Sequence, residues 1–170
     1  IDVSQRELAS SWLDLIEATP ALVFDPEICR RQWVDLGAAL PNVRLFYAVK
    51  SNPYAGLLQT IAEAGGSFDV ASSAEIRMLE HEGIHNSRMI HTHPIKTDAE
   101  IEKAIAAGVM TFVVDNVDEL WKLIPYRHII RVMLRLSFIA PDAPIDLSRK
   151  FGASQKDALS ILGVANDSGI

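Results

Sequence analysis

Lys50 closes the apolar run Phe46-Tyr47-Ala48-Val49, which lies between Pro41-Asn42 upstream and Asn52-Pro53 downstream. A run of β-formers between turn residues predicts a buried strand, Leu45–Lys50, with the lysine in last place. Desolvating an ammonium there is costly unless it is paired or neutralised. A lysine with a lowered pKa suits Schiff-base chemistry, because only the neutral amine attacks a carbonyl. A lysine snorkelling from a strand end to water would need none of this chemistry. A second constellation is the H-x-H pair His91 and His93, which on one strand would share a face and could hold zinc. No motif positions a third ligand for it, so no metal is expected.

The elements that must place these residues follow a regular rhythm. Five strand-like segments, Leu45–Lys50, Ser67–Ala71, Arg88–Thr92, Met110–Asp115 and Ile129–Leu136, start 19 to 22 residues apart. Helical patterns with clear punctuation fill the gaps. Pro53 opens a helix running to Ala64, stopped by Gly65-Gly66. Ser72-x-x-Glu75 and Thr97-x-x-Glu100 are capping boxes, closed by Gly83 and Gly108. Asn116-x-x-Glu119 starts a helix that Pro125 ends. Upstream, Asp25-Pro26-Glu27 caps a helix to about Leu40, after a short strand Ala21–Phe24. An amphipathic helix bearing Leu8, Trp12, Leu15 and Ile16 comes first. Residues 1–24 thus read as an N-terminal helix and strand, and 25–170 as the main βα unit, with a last helical stretch over Phe151–Ala165.

Strand and helix in alternation mean successive βαβ units and a parallel sheet. The turn after the first such strand, Ser51-Asn52-Pro53-Tyr54, lacks the G-x-G-x-x-G of a dinucleotide fold. Polar residues gather instead at several strand ends: Lys50, Ser72, Thr92 with His93, Asp115 and Arg135. In a (β/α)8 barrel these ends converge on one mouth, so the expected class is α/β, a TIM-like barrel. A full barrel takes eight strands and about 250 residues. With five units present, the barrel is expected to be incomplete and the chain to be part of something larger.

Composition narrows the partners. The 170 residues are 49% hydrophobic and 22% charged, enough for one sizeable core. A net charge of −6 and a pI near 5.3, without a Lys/Arg cluster, argue against nucleic acid and membrane surfaces. Cys29 is the single cysteine, so neither an intrachain disulfide nor a Cys-based metal cage is available. With no signal-like leader and no run long enough to span a bilayer, the cytoplasm is the expected compartment.

Two segments then carry a family resemblance. Phe46-Tyr47-Ala48-Val49-Lys50-Ser51-Asn52 and Phe68-Asp69-Val70-Ala71-Ser72-Ser73-Ala74-Glu75-Ile76 resemble the pyridoxal-phosphate (PLP) dependent ornithine/lysine decarboxylases of the alanine-racemase fold type. Met133-Leu134-Arg135-Leu136 and Asp146–Gly152 extend the match. His93-Pro94-Ile95-Lys96 is similar to that family's Asn-Pro-x-Lys turn, with histidine in place of asparagine. The resemblance implies that Lys50 is the Schiff-base lysine, with Asp69 beside it as its orienting carboxylate. It implies that Ala48, Glu75 and Arg135 line the pyridoxal phosphate site. Glu75 also fits a capping-box acceptor, and Arg135, if buried, would need an anion such as Asp69 or Asp115. Lys150 resembles a dimer-interface residue. The implied reaction is decarboxylation of a basic amino acid, ornithine or lysine, to a diamine by a homodimer whose C-terminal β-domain is not in this sequence. Alternatives are a non-catalytic relative of the antizyme-inhibitor kind, a diaminopimelate decarboxylase, or a PLP-carrier protein.

Overall fold

The structure is a computed structural model and describes residues 16, 18, 20–138 and 150–170. The helix expected over the first residues and the Asp146–Arg149 part of the family match lie outside the described residues.

Helix starts follow side-chain chemistry. Asp25 Oδ1 accepts from Glu27 N at 2.8 Å and Ile28 N at 3.2 Å, opening α1 (Pro26–Ala39). Ser72 caps α3 (Ser73–His81), Thr97 caps α4 (Asp98–Ala106) and Asn116 caps α5 (Val117–Leu123), each accepting from the N–H three residues on. Each such cap stabilises its helix by about 1 kcal/mol. The pyrrolidine at Pro53 falls just ahead of α2 (Ala55–Glu63), and Ser154 caps α6 (Gln155–Ser168). Gly83, at φ +71°, ends α3 in a conformation L side chains avoid.

The strands are β1 (Phe46–Ala48), β2 (Ser67–Val70), β3 (Met89–His91), β4 (Thr111–Val114) and β5 (Arg131–Leu134). They pair in parallel in the order β1-β2-β3-β4-β5. An order that never reverses carries every right-handed crossover helix to the same side, whereas a doubly wound sheet reverses and covers both sides. In register, Val70, His91 and Phe112 share the helix-covered face and are buried with Phe68 and Val114. Against them pack Leu58 and Ile61 of α2, Ile76 and Leu79 of α3, Ile101 of α4, and Leu120 and Leu123 of α5. Full burial of such a side chain contributes about 1.5–3 kcal/mol. On the opposite face Met133 is 51% exposed and Arg131 is open to solvent. A sheet covered on one side, with a lumen on the other, is the architecture of a (β/α) barrel wall.

Two expectations change. Ala21–Phe24 forms no strand: it pairs with no neighbour among the described residues, Leu22 is fully exposed, and Phe24 instead meets Tyr54 edge-on at 5.3 Å. Lys50 does not end a buried strand. β1 stops at Ala48, and Val49–Ser51 turn as one 3-10 step that sends Lys50 to solvent.

Candidate functional site

Parallel strands deliver their carboxyl ends to one rim, and the site lies there. A cavity of about 190 Å³ is lined by Lys50, Thr92, His93, Arg135, Lys150 and Phe151. Lys50 comes from the turn after β1, Thr92 and His93 from the residues after β3, and Arg135 from the residue after β5. The Lys50 amine makes no hydrogen bond to the described residues.

Asp69, on β2, sits opposite Ala48 on β1 and Ile90 on β3. Thr92 is two residues beyond Ile90 on the same face. Its amide donates to Val70 O at 3.1 Å, extending the ladder by one bond, and its hydroxyl donates to Asp69 Oδ1. Burial pushes the Asp69 carboxyl above its ordinary range. The Thr92 hydroxyl and then the charges of Lys50 and Arg135 pull it back. Lys50 and Arg135 are therefore each within electrostatic reach of Asp69, and neither closes an ion pair with it.

Arg135 is not the buried arginine expected. It is exposed, pairs with neither Asp69 nor Asp115, and holds its guanidinium 5.2 Å from the centre of the Phe151 ring. Lys150 lies over the same ring at 5.5 Å, and the His93 ring meets it edge-on at 5.6 Å. Phe151 is thus the hub of the far wall. Gly152 puts it there: its N–H donates to Asp115 Oδ2 at 2.9 Å, and Ala153 bridges Leu136 beyond β5. At φ +104°, with a Cβ only 2.8 Å from Ser137 N and 2.9 Å from Leu136 O, no other residue fits Gly152's place.

The remaining candidates divide. Ala48 stands beside Asp69 in register and leaves space on the lumen face. Glu75 does not line the cavity; its Oε2 accepts from Ala71 N at 2.7 Å, one residue before the Ser72 cap, so the carboxylate ties the end of β2 to the start of α3. The two histidines separate, because β3 ends at His91. His91 is buried and stacks on Phe112 at 5.9 Å, while His93 folds into a turn with Ile95. Among the described residues no group of three or more His, Cys, Asp or Glu could hold a metal ion.

Beneath the rim lies a polar belt that composition did not reveal. Lys96 is 4% exposed, and its Nζ donates to His93 O at 3.0 Å, Pro94 O at 2.9 Å and Val113 O at 2.7 Å. Glu119 stands 3.8 Å from that amine and accepts from Lys96 N at 3.1 Å. Lys122 binds Glu119 and Lys96 O. Burial pushes the Lys96 amine down to about 8, with Glu119 opposing. A larger hollow of about 580 Å³ between α1 and α2 is walled by Phe24, Trp33, Leu36 and Leu57, and gathers no comparable set of charges.

Residues 27–170 match the sequence profile of the pyridoxal-dependent decarboxylases, pyridoxal binding domain. The chain belongs to that family. It is 32% identical to a lysine/ornithine decarboxylase of Selenomonas ruminantium over 155 residues, covering 89% of this chain and 39% of that one. A Vibrio vulnificus lysine/ornithine decarboxylase, solved with cadaverine, superposes with a TM-score of 0.84 at 37% identity, over 100% of this chain and 44% of that one. Antizyme inhibitor 2 of Xenopus laevis is 36% identical over 129 residues, covering 76% of this chain and 28% of that protein. The chain thus spans less than half the length of these relatives. Its sheet is part of the family's TIM barrel, and the cofactor of the family is pyridoxal phosphate.

The residues present suit that group. An anionic aldehyde needs a free amine, and Lys50 offers one without hydrogen bonds to break among the described residues. It needs positive charge, and Arg135 and Lys150 bring two cations to the same cavity.

Proposed function

We propose that this chain supplies the lysine-bearing wall of a PLP-dependent decarboxylase that converts a basic amino acid, ornithine or lysine, to a diamine. The observation that carries the proposal is the open Lys50 amine, in one cavity with Arg135 and within electrostatic reach of Asp69. In this reading Lys50 holds the cofactor covalently, and Asp69 supplies the negative charge that steadies the lysine nitrogen when it is protonated. Arg135 and Lys150 draw the cofactor's or substrate's anionic groups toward the rim. Ala48 leaves room on the strand for a ring to approach, and Phe151 with His93 keeps water from one side. When bound, pyridoxal phosphate supplies the electron sink that lets a carboxylate leave as carbon dioxide. Glu75 serves this site at one remove, by fixing the end of β2 through Ala71.

The choice of ornithine or lysine is supported by what the relatives are named for. A homodimer and a cytoplasmic location go with the family reading. So does the completion of the barrel by sequence outside these residues, since the relatives are more than twice as long.

The test is a carbon dioxide release assay on the intact protein with ornithine, lysine and arginine, each with PLP added. Turnover of ornithine or lysine that vanishes in Lys50→Ala is expected. A well-folded protein with no turnover on any of the three would overturn the catalytic reading. It would favour the non-catalytic one, for which the likeness to antizyme inhibitor 2 is the specific observation.

A further inference from the structure

Asp69 stands among groups that pull its proton equilibrium in opposite directions. Its own burial favours the neutral acid, while Lys50 from the turn after β1 and Arg135 from the end of β5 favour the anion. Neither cation reaches it. The contact that does is the Thr92 hydroxyl, on the adjacent strand end. That hydroxyl has little freedom, since the Thr92 amide is fixed to Val70 O at 3.1 Å and Asp69 is in register with Ile90, two residues before it. A hydroxyl donor to one carboxylate oxygen favours the ionised form and fixes the plane of the group. It also leaves the second oxygen free of that bond. Thr92 lines the same cavity as Lys50.

We propose that Thr92 is a positioning residue that acts through Asp69, holding the carboxylate ionised and in a fixed orientation as the counter-charge of Lys50. The inference rests on the reading of Lys50 as the reactive amine but is carried by a separate contact. A threonine is suited to the task because its methyl can pack on the lumen face while its hydroxyl reaches along the sheet, a diagonal spacing of the kind that joins neighbouring strands. Valine keeps that shape and removes the donor. Serine keeps the donor and loses the methyl.

The experiment is a pH titration of the Asp69 carboxyl in the intact protein. It is followed by carbon-13 NMR with labelled aspartate and assigned by the signal lost in Asp69→Asn. Thr92→Val is expected to tighten proton binding at Asp69 about tenfold, because a hydrogen bond to a charged group is lost, and Thr92→Ser is expected to restore the wild-type midpoint. A merely structural threonine would lower the melting temperature of Thr92→Val without moving the titration, and an unmoved midpoint overturns the proposal. Trapping of an aldehyde on Lys50 by borohydride is run on the wild type in parallel. Failure of trapping there would sink the decarboxylase reading, whereas the Asp69 midpoint alone decides the role of Thr92.

Discussion

Lys50 and Lys96 both follow the carboxyl ends of barrel strands, yet their surroundings are opposite. Lys50 is exposed, makes no hydrogen bond to the described residues, and opens on a cavity with Arg135 and Lys150. Lys96 is buried, and its three ammonium protons go to three backbone carbonyls. Burial lowers the Lys96 pKa to about 8, a perturbation of the kind often found at functional sites. Geometry selects Lys50, because an amine whose donors are all bonded inside the protein cannot meet a carbonyl. The contrast extends to their neighbours. The rim brings the cations Lys50, Arg135 and Lys150 to one cavity without an ion pair among the described residues. The belt below it, Lys96, Glu119 and Lys122, is satisfied internally and holds the turn from His93 to Lys96.

The comparison predicts that rim substitutions cost chemistry and belt substitutions cost stability. The largest effect falls at the rim. Lys50→Met should lower kcat/KM for a basic amino acid by at least about a thousandfold, or 4 kcal/mol. Its denaturant midpoint should remain where it was. Next comes Lys96→Met, which leaves three buried carbonyls without a donor and removes one partner of Glu119. A loss of roughly 3–5 kcal/mol in urea unfolding is expected. Normal stability in that variant would erase the distinction between rim and belt.

The third effect is a pH dependence of the layer that faces the helices. Among the described residues no side-chain or neighbouring group bonds the buried His91 ring nitrogens, and burial lowers its pKa to about 4 from 6.5, with Lys96 and His93 adding to the shift and Glu100 and its own backbone opposing it. Between those values the unfolded chain binds a proton that the folded chain refuses, so stability falls as pH drops from about 6.5 toward 4. The loss reaches up to about 3 kcal/mol. In His91→Phe, melts over that range should show a flatter slope. Smallest is Gly152→Ala. A side chain at positive φ against the Ser137 backbone should destabilise the Phe151 wall by about 2 kcal/mol. Raised hydrogen exchange confined to residues 150–154 would locate the damage.

Much of this was legible in the sequence because the signals were local. Ser72, Thr97 and Asn116 each name a helix start, and the strand rhythm between them fixes a parallel sheet. The choice of a barrel rested on which strand ends carry polar residues, and the unreversed order bears it out. What failed depended on exposure. Leu45–Lys50 reads as a buried strand and Ile129–Leu136 as a strand, but periodicity cannot say where a strand leaves the sheet, and both Lys50 and Arg135 lie past that point in solvent. Ala21–Phe24 has a strand's composition and no partner to bond among the described residues. The Thr92–Asp69 bond was out of reach because it depends on the register of β2 against β3. The three carbonyls around Lys96 come from two different segments and leave no mark in its neighbouring residues. The strand-end pattern already placed Thr92 and His93 beside Lys50 and Arg135, the family resemblance named Asp69, and the cavity then added Phe151.

The most direct test of the contrast between the two lysines is reductive trapping in the intact protein. PLP is titrated in, borohydride is added, and the peptides are mapped by mass. The account predicts a saturable pyridoxyl mass on Lys50 with Lys96 unmodified. Pyridoxyl on Lys96, or an even spread over the surface lysines with Lys50 no more reactive than the rest, would contradict it.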